Sequence, residues 1–241
     1  EGPYLNPKMA ASLFIDKENP ADPKEYKEIL ERTDCIKRWD SSPEIPGALE
    51  FAQYLKSRGI LSAISHTEAE FDDIKTAYNA GFTHAAHFYN AMPGFHKRRE
   101  YKYEGTVESV FLMDDMTVEV IADGKHLPST ILRLVYKLKG VERTCLVTDA
   151  LSYAASDVKP DEGSRIIIED GVCKLADHSS LAGSIATMDV LVRTMVQKAN
   201  IPLADAVRMA SETPARLMGV SDRTGTLQRG KDADIIILDR N

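Results

Sequence analysis

The sequence predicts an α/β fold, a (β/α)8 barrel of the TIM type. Short β-branched runs alternate with amphipathic segments through the first 150 residues, which is the pattern of parallel strands covered by helices. Polar residues stand at or just beyond the ends of successive strands, at intervals of 21 to 36 residues: Asp40, His66, His87, Asp123 and Asp149. A ring of polar strand ends is typical of a barrel mouth. An open doubly wound sheet would instead begin with a glycine-rich turn, and the chain has no GxGxxG.

The first strands and helices follow in a simple order. We predict a strand in CIKRWDSS, a helix in PEIPGALEFAQYLKSRG, a strand in ILSAISHT, a helix in AEFDDIKTAYNAG and a strand in FTHAAHFYN. The alternation continues with a strand in MTVEVIADG, a helix in PSTILRLVYKLKG and a strand in RTCLVTDA. Five strands precede Ala150, so we expect a barrel that is truncated at its N-terminal end, with its early strands missing.

The regular alternation of predicted strands and helices ends after Ala150. The stretch SRIIIEDGVCKLAD predicts a hairpin with Asp170-Gly171 at its turn, inserted over the barrel mouth. Two helices are expected next, in SIATMDVLVRTMVQKAN and in PLADAVRMASETPARLMG, the second ending at Gly219. A turn and an apolar strand, IIILD, close the chain. We therefore expect a catalytic barrel domain over residues 1–222 and the remnant of a small β-sandwich over residues 223–241.

Composition and charge exclude several classes of protein. A net charge of −7 argues against a nucleic-acid or membrane-surface role. No run of eighteen apolar residues and no secretory leader is present, so we expect a cytoplasmic protein. The three cysteines, Cys35, Cys145 and Cys173, lack CxxC spacing and lie in apolar or strand-like sequence, which predicts buried reduced thiols.

Two histidines lie three residues apart in HAAHFYNAMPG. Residues three apart in a strand point to opposite faces, so His84 and His87 are not expected to enter the mouth together. His87, nearer the strand end, is the better ligand candidate. We expect His84 to pack against a helix or to be solvated.

His66 ends the preceding strand, which makes it a neighbour of His87 at the barrel rim. Two imidazoles on adjacent strand ends, with a carboxylate nearby, could hold a divalent metal ion. The alternative is that both histidines cap the helices that follow.

Asp149 closes an apolar strand, where a carboxylate is costly to bury unless it is paired, ligates a metal or transfers a proton. The alternative for Asp149 is that it caps the N-terminus of a helix. His126 could bind substrate or be exposed.

Several motifs together resemble the N-acetylglucosamine-6-phosphate deacetylases of the amidohydrolase superfamily. They are, in order, EGPYLNP, SHTEA, AAHFYNAMPG, IADGKHLP, CLVTDA, LAGS and GTLQRGKDADIIILD. The resemblance covers the whole chain, and HFYNAMP together with EGP is its most specific part. It implies a barrel of the metal-dependent hydrolase kind, one divalent metal ion per subunit, with zinc as the default, and a homodimer.

The resemblance also implies roles for individual residues. Glu1, His66 and His87 match the metal ligands, and Asp149 matches the catalytic acid and base. Asn90, Ala91 and His126 match substrate-binding positions. The family takes the arginine for the substrate phosphate from the partner subunit, and the basic cluster HKRR offers two candidates for that arginine, Arg98 and Arg99. A solvated basic turn is the alternative for either one.

The implied activity is hydrolysis of the N-acetyl group of N-acetylglucosamine 6-phosphate. Leu13 stands nearest the position where the family often carries a His or Gln against the acetyl carbonyl. Another N-acyl amino sugar, or a cyclic amide, is therefore an alternative substrate. A non-catalytic sugar-phosphate binding module is the alternative from another class, although such a module has no need for metal ligands and an acid together.

Overall fold

The computed structural model describes residues 1–10, 13, 15 and 17–238. Its strands are β1 (Arg38–Ser41), β2 (Leu61–Ile64), β3 (Phe82–Ala85), β4 (His96–Arg98), β5 (Tyr101–Tyr103), β6 (Thr117–Val120), β7 (Thr144–Leu146), β8 (Ile166–Glu169) and β9 (Val172–Leu175). Its helices are α1 (Pro23–Glu31), α2 (Ala48–Ser57), α3 (Phe71–Ala80), α4 (Thr106–Leu112), α5 (Ser129–Lys139), α6 (Met188–Gln197), α7 (Leu203–Ala210) and α8 (Glu212–Leu217).

Five strands form one parallel sheet in the order β1-β2-β3-β6-β7. Helix α2 connects β1 to β2, α3 connects β2 to β3, and α5 connects β6 to β7. The predicted α/β class with a parallel sheet is confirmed. Because the strands are parallel, their carboxyl ends lie at one edge of the sheet, and the loops that leave this edge can build a site together.

One face of this sheet packs against the helices. Trp39, Ile64, Ala85 and Val118 lie on this face and are buried in the hydrophobic core. The Trp39 ring meets Phe51 of α2 edge to face, with 5.1 Å between ring centroids. This apolar layer packs the helices against the sheet.

The opposite face carries a buried polar cluster. Arg38 lies between two carboxylates, with its Nε 2.6 Å from Asp40 Oδ1 and its Nη2 2.8 Å from Glu119 Oε1. His84 Nδ1 lies 2.7 Å from Thr117 Oγ1. Asp40 therefore belongs to the interior of the sheet face, inside β1, and not to the strand-end ring that the sequence predicted.

The second of the two predicted C-terminal helices is in fact two helices. Ser211, with φ −136° and ψ −68°, separates α7 from α8. Pro214 explains the break, because it has no N–H to donate to the preceding turn and its ring would clash with the carbonyl four residues earlier. The helix also ends earlier than expected, at Leu217, with Gly219 beyond it at φ +67°.

Several short elements were not predicted: α1, α4 and the antiparallel β4-β5 pair. Asp22 caps α1 by accepting from Lys24 N, and Pro23 occupies its first turn, so a start signal for this helix was present in the sequence. The strands β4 and β5 have three residues each, too few to show a period.

The predicted C-terminal apolar strand is wrong for the part of it that is described. Residues 232–238 form no helix or strand, and Ile236 and Ile237 are 83% and 92% exposed. A strand needs a neighbour for its backbone hydrogen bonds, and no described segment pairs with this one. Residues 239–241 lie outside the described residues.

The hairpin formed by β8 and β9 matches its prediction. Asp170 and Gly171, at φ +54° and +76°, form the turn, as a two-residue hairpin connection requires.

Cys145 and Cys173 are buried free thiols as expected. Cys35 is exposed, contrary to expectation, because it lies between α1 and β1 and not within a strand. Within the described ranges, no helix has the length and apolar character needed to cross a membrane.

Candidate metal centre and active site

Three candidate residues follow strands and share an unusual backbone. His66 and His87 each stand two residues beyond the end of β2 and β3, and Asp149 stands three beyond β7. Their φ angles are +46°, +28° and +47°, in the left-handed region that residues other than glycine rarely adopt. Such strain persists only where surrounding contacts hold it, and it concentrates at functional sites.

The carboxylate of Glu1 lies between the two imidazoles. Glu1 Oε1 is 2.9 Å from His66 Nε2 and 2.8 Å from His87 Nε2. Both rings are buried, and one ligand atom from each of the three residues falls within 4.8 Å of the others. One carboxylate and two imidazoles converging on a single point form a donor set that divalent zinc, iron, manganese or cobalt accepts.

The hydrogen bonds of the two rings support a cation at this point. His66 Nδ1 lies 2.7 Å from the Met9 carbonyl and His87 Nδ1 lies 3.2 Å from the Asn90 carbonyl. A carbonyl oxygen only accepts, so each Nδ1 carries the proton and each Nε2 presents a lone pair in the neutral ring. If both rings were neutral, two lone pairs would face a carboxylate oxygen, so a positive charge is needed among them: a proton on His87 Nε2 in the metal-free protein, or a metal ion. A metal ion fits this arrangement, and the carbonyl partners are those typical of metal-bound histidines.

Hydrogen bonds hold Glu1 and the residues that follow it in place. Ser65 Oγ donates to Glu1 Oε1 at 2.5 Å, and Trp39 Nε1 donates to the Gly2 carbonyl at 2.7 Å. The hydroxyl of Ser42 joins the N-terminal segment to β2: it accepts from Asn6 N at 2.7 Å and donates to the His66 carbonyl at 2.7 Å. The first residues of the chain are thereby fixed against the ends of β1 and β2.

Burial and mutual charge shift the ionisation of the site when no metal ion is bound. Burial alone would raise the pKa of Glu1, but hydrogen bonds from His66 and His87 hold it well below its usual range. Burial alone would lower the pKa of His87, but Glu1 raises it to about 9. Burial, with a contribution from Glu1, raises the pKa of the Asp149 carboxyl above its ordinary 3.8. A carboxyl with a raised pKa is suited to accept a proton and give it back.

A cavity of about 380 Å³ opens beside the Glu1, His66 and His87 group. Four further residues to which the sequence assigned a site role line it: Asn90, Ala91, His126 and Asp149. Its remaining described lining is Lys8, Met9, Leu13, Leu151 and the segment 180–183. A volume of this size is within the range of small-ligand sites.

His126 is oriented towards the cavity by Asp123, another of the predicted strand-end residues. Asp123 Oδ2 lies 2.8 Å from His126 Nδ1, while Oδ1 accepts the backbone N–H groups of Lys125 and His126. These bonds hold the pKa of Asp123 below its ordinary value even though burial opposes this. With Nδ1 occupied by a carboxylate, the Nε2 atom of His126 is the ring atom left for a ligand.

The loop after His87 turns sharply and returns to the site. Asn90 Nδ2 donates to the His87 carbonyl at 3.0 Å, which closes the turn, and Ala91 has φ +51°. The Ala91 carbonyl accepts from Thr67 N at 3.0 Å, so this loop is also joined to the loop after β2.

Arg98 and Arg99 do not line the cavity within one chain. Arg98 is ion-paired with Glu70, and its guanidinium lies 5.0 Å from the centroid of the Tyr103 ring. Arg99 is exposed between β4 and β5, with φ +55°. Both arginines project from a surface hairpin.

The expectation that His84 packs against a helix or is solvated is wrong. Its ring is buried on the polar face of the sheet, bonded to Thr117, with its Nε2 atom 3.3 Å from Glu119 Oε2. Strand alternation does not decide the direction of His87, because His87 lies two residues beyond the end of β3. The expectation overlooked that both faces of this sheet are buried, so the face away from the helices can hold a histidine with polar partners.

Sequence reasoning missed several residues around the site. Among the described residues that line the cavity, Lys8 is the only lysine or arginine. Its Nζ lies 3.1 Å from Glu68 Oε2. Residues 181–183, which belong to the LAGS motif and had no predicted role, line the cavity together with Ser180. Glu119 bonds to the backbone of His87, and a lone carboxylate within the apolar run MTVEV was the signal that could have identified it.

Comparison with known proteins agrees with this geometry. The model of the amidohydrolase family matches residues 40–241. The N-acetylglucosamine-6-phosphate deacetylase of Bacillus subtilis (strain 168) is 30% identical, over 99% of this chain and 60% of the relative. The N-acetylgalactosamine-6-phosphate deacetylase of Escherichia coli O157:H7 is also 30% identical, over 99% of this chain and 63% of the relative.

A solved structure extends the similarity to the fold. It is a mutant N-acetyl-D-glucosamine-6-phosphate deacetylase from Mycobacterium smegmatis in complex with N-acetyl-D-glucosamine-6-phosphate, with a TM-score of 0.88 at 30% identity, covering 99% of this chain and 63% of that one. The resemblance inferred from the sequence motifs is thereby confirmed. The chain spans about 60% of the length of the curated relatives it matches.

Proposed function

This chain belongs to the amidohydrolase family, and we propose that it is a metal-dependent deacetylase. The substrate is N-acetylglucosamine 6-phosphate, and the products are glucosamine 6-phosphate and acetate. The observation that carries the proposal is the convergence of Glu1, His66, His87 and Asp149 on one cavity. The similarity to deacetylases along the whole chain supports the choice of substrate.

One divalent ion per subunit, zinc, is the proposed cofactor, with Glu1, His66 and His87 as its ligands. Three protein ligands leave an open position, as in catalytic zinc sites. When bound, such an ion polarises the acyl carbonyl and lowers the pKa of water.

Asp149 moves the proton in the proposed reaction. Its carboxylate accepts a proton from the water that attacks the acetyl carbon, and the same carboxyl then delivers that proton to the amide nitrogen. The C–N bond breaks as the amine leaves, because an amide nitrogen is a poor leaving group until it is protonated. The raised pKa of Asp149 supports this double role.

The sugar phosphate is bound by the remaining predicted residues. Asn90, Ala91 and His126 bind the substrate inside the cavity. A phosphate dianion also needs cationic donors, and we assign this role to Arg99 or Arg98 of the partner subunit in a homodimer. The exposure of the β4-β5 hairpin supports a role across an interface. Arg99 is the first choice because Arg98 is already paired with Glu70.

The proposal includes the architecture and the setting of the enzyme. The five parallel strands form part of a (β/α)8 barrel, residues 1–222 belong to the catalytic domain, and residues 223–241 belong to a small β-sandwich. The free buried thiols of Cys145 and Cys173 support a reducing cytoplasmic setting.

A second candidate is the same reaction on another N-acyl amino-sugar phosphate. Leu13 lines the cavity at the place where a polar contact to the acetyl carbonyl was expected, and one of the relatives is an N-acetylgalactosamine-6-phosphate deacetylase. A purely binding module is disfavoured, since binding alone has no use for Asp149 beside a metal site.

Acetate release is the test. The metal-loaded protein is incubated with N-acetylglucosamine 6-phosphate, with N-acetylgalactosamine 6-phosphate and with unphosphorylated N-acetylglucosamine. Release that depends on the phosphate and is fastest with the first sugar supports the proposal. Faster release from the second sugar transfers the assignment to the second candidate, and no release from any of the three overturns the deacetylase proposal.

A further inference from the structure

Glu119, on β6, is a buried carboxylate that does not line the cavity but contacts the backbone of His87, one of the proposed metal ligands. Its Oε1 atom accepts from the backbone N of His87 at 3.2 Å and from Arg38 Nη2 at 2.8 Å. Its Oε2 atom is contacted by Arg38 Nη1 and lies 3.3 Å from His84 Nε2. The side chain thus joins β1, β3 and β6 at one point.

The backbone of Glu119 holds the next residue of the same turn. The Phe88 N–H donates to the Glu119 carbonyl at 2.7 Å. Two successive N–H groups of the turn after β3 are therefore bound by a single residue. This turn contains the left-handed His87, whose φ of +28° is unfavourable for a residue with a Cβ and needs such contacts to persist.

The charge of Glu119 is compensated within the cluster. A buried carboxylate is costly unless it is paired, and Arg38 supplies two N–H groups to it. Glu119 is 6% exposed, so the bond to His87 N is formed away from water. A carboxylate that accepts from three N–H groups, two of Arg38 and one of His87, is a rigid acceptor.

We infer that Glu119 is a positioning residue for the metal ligand His87. It fixes the peptide from which the imidazole projects, so that Nε2 meets Glu1 and His66 at one point. The inference rests on the proposed metal site. Outer partners that orient metal-ligating histidines typically contribute about 10- to 100-fold to metal affinity, and we expect an effect of this size.

The variant Glu119→Gln tests this. Gln keeps one acceptor oxygen and replaces the other with an NH2 group. In one orientation that NH2 faces Arg38, and in the other it faces the His87 N–H, so donor meets donor either way. Thr117→Val is the matched control: Thr117 lies on the same face of the same strand, is also 6% exposed and bonds to His84, but does not contact His87.

The measurement is Co²⁺ and Zn²⁺ affinity by competition with a chromogenic chelator, together with the Co²⁺ absorption spectrum. We expect Glu119→Gln to bind about 10- to 100-fold more weakly with an altered spectrum, and Thr117→Val to bind within about twofold of the unmodified protein with the same spectrum. Thermal unfolding of the metal-free variants is the stability control: similar unfolding temperatures for Glu119→Gln and Thr117→Val would show that lost stability does not explain weaker metal binding.

A second variant covers the case in which Glu119→Gln does not fold. Glu119→Asp keeps the charge but withdraws the carboxylate from the His87 N–H by one methylene, so weaker metal binding than in Thr117→Val is expected. Affinity and spectrum equal to those of the control in whichever Glu119 variant folds overturn the inference and leave the proposed function standing. If the unmodified protein takes up no metal ion, the proposed function itself fails, and the inference fails with it.

Discussion

The rings of His66 and His87 meet edge to face, with 4.9 Å between their centroids and 78° between their planes. A whole helix, α3, separates them in sequence, but they occupy the same position beyond two adjacent parallel strands. Their Nε2 atoms consequently point to the same Glu1 oxygen. The sheet, and not local sequence, brings these two histidines together.

This arrangement predicts different consequences for the two histidines of HAAHFYNAMPG. The variant His87→Asn is expected to lose stoichiometric Zn²⁺ binding, because it removes one of three ligands. His84→Asn removes a ring that contacts Thr117 and Glu119 on the sheet face and should retain the metal ion while unfolding at a lower temperature. Metal content after gel filtration, by atomic emission, provides the measurement. Retention of one equivalent by His87→Asn would contradict the ligand assignment.

Asp149→Asn is expected to lower kcat by about two orders of magnitude or more, since it removes the group that accepts and returns the proton. The metal ion should remain, because Asp149 is not among the three ligands. Burial raises the pKa of Asp149 above 3.8, and the base must be ionised in the free enzyme. Activity should therefore fall as the pH decreases through the pKa of Asp149.

The pH profile of kcat/KM, with the metal content checked at each pH, measures this. The remaining activity of Asp149→Asn should lack that acidic limb. An unchanged limb in the variant would assign it to another group and would remove the main argument for Asp149 as the base.

The phosphate arginine can be identified on the β4-β5 hairpin. Arg99→Ala is expected to raise the KM for N-acetylglucosamine 6-phosphate by about 10- to 100-fold with little change in kcat, which is the effect of losing a charge-assisted hydrogen bond to a bound dianion. Lys97→Ala, an exposed cation on the same hairpin, is the matched control and should have a normal KM. Steady-state kinetics with the phosphorylated and unphosphorylated sugars provides the measurement.

Arg98→Ala completes this comparison, since Arg98 is paired with Glu70. If only Arg98→Ala raises KM, the ion pair must open for catalysis and the first choice of arginine is wrong. If neither arginine matters, Lys8 in the cavity lining is the next cation to replace.

Residues with a local signal were predictable from the sequence. His66, His87 and Asp149 are polar residues at the ends of apolar strands, a position that is costly without a function. The strand and helix order followed from periodicity, because each βα unit repeats the same burial requirement. Pro214 and Asp22 carried equally local signals, for a helix break and a helix start, and these were not used.

Residues whose partners are distant in sequence could not be assigned in the same way. Arg38 and Glu119 are 81 residues apart, and they meet only because β1 and β6 contribute to the same sheet face. A single sequence gives strand order only through fold-level expectation, so the carboxylate in MTVEV had no visible partner. The same applies to Arg98, whose pairing with Glu70 depends on how the β4-β5 hairpin folds back.

Lys139 predicts a pH dependence of stability that is independent of the active site. Lys139 is 2% exposed, and its Nζ donates to the carbonyls of Val110 and Met113 at the end of α4, both at 2.7 Å. Burial, with a smaller contribution from Arg143, lowers the pKa of Lys139 from 10.5 to about 8. Between these two values the unfolded chain binds the proton and the folded chain does not, so this group makes folding more favourable as pH rises.

The variant Lys139→Met removes this linkage, and Lys137→Met, an exposed lysine on the same helix, keeps it. Urea unfolding at pH 7.5 and at pH 9.5 should show the unmodified protein gaining about 1 to 3 kcal/mol relative to Lys139→Met, while its difference from Lys137→Met stays constant. A constant difference from Lys139→Met would mean that the two carbonyls keep this lysine charged throughout. In that case its role is to bind the end of α4 as a cation at every pH, and burial is outweighed by the hydrogen bonds.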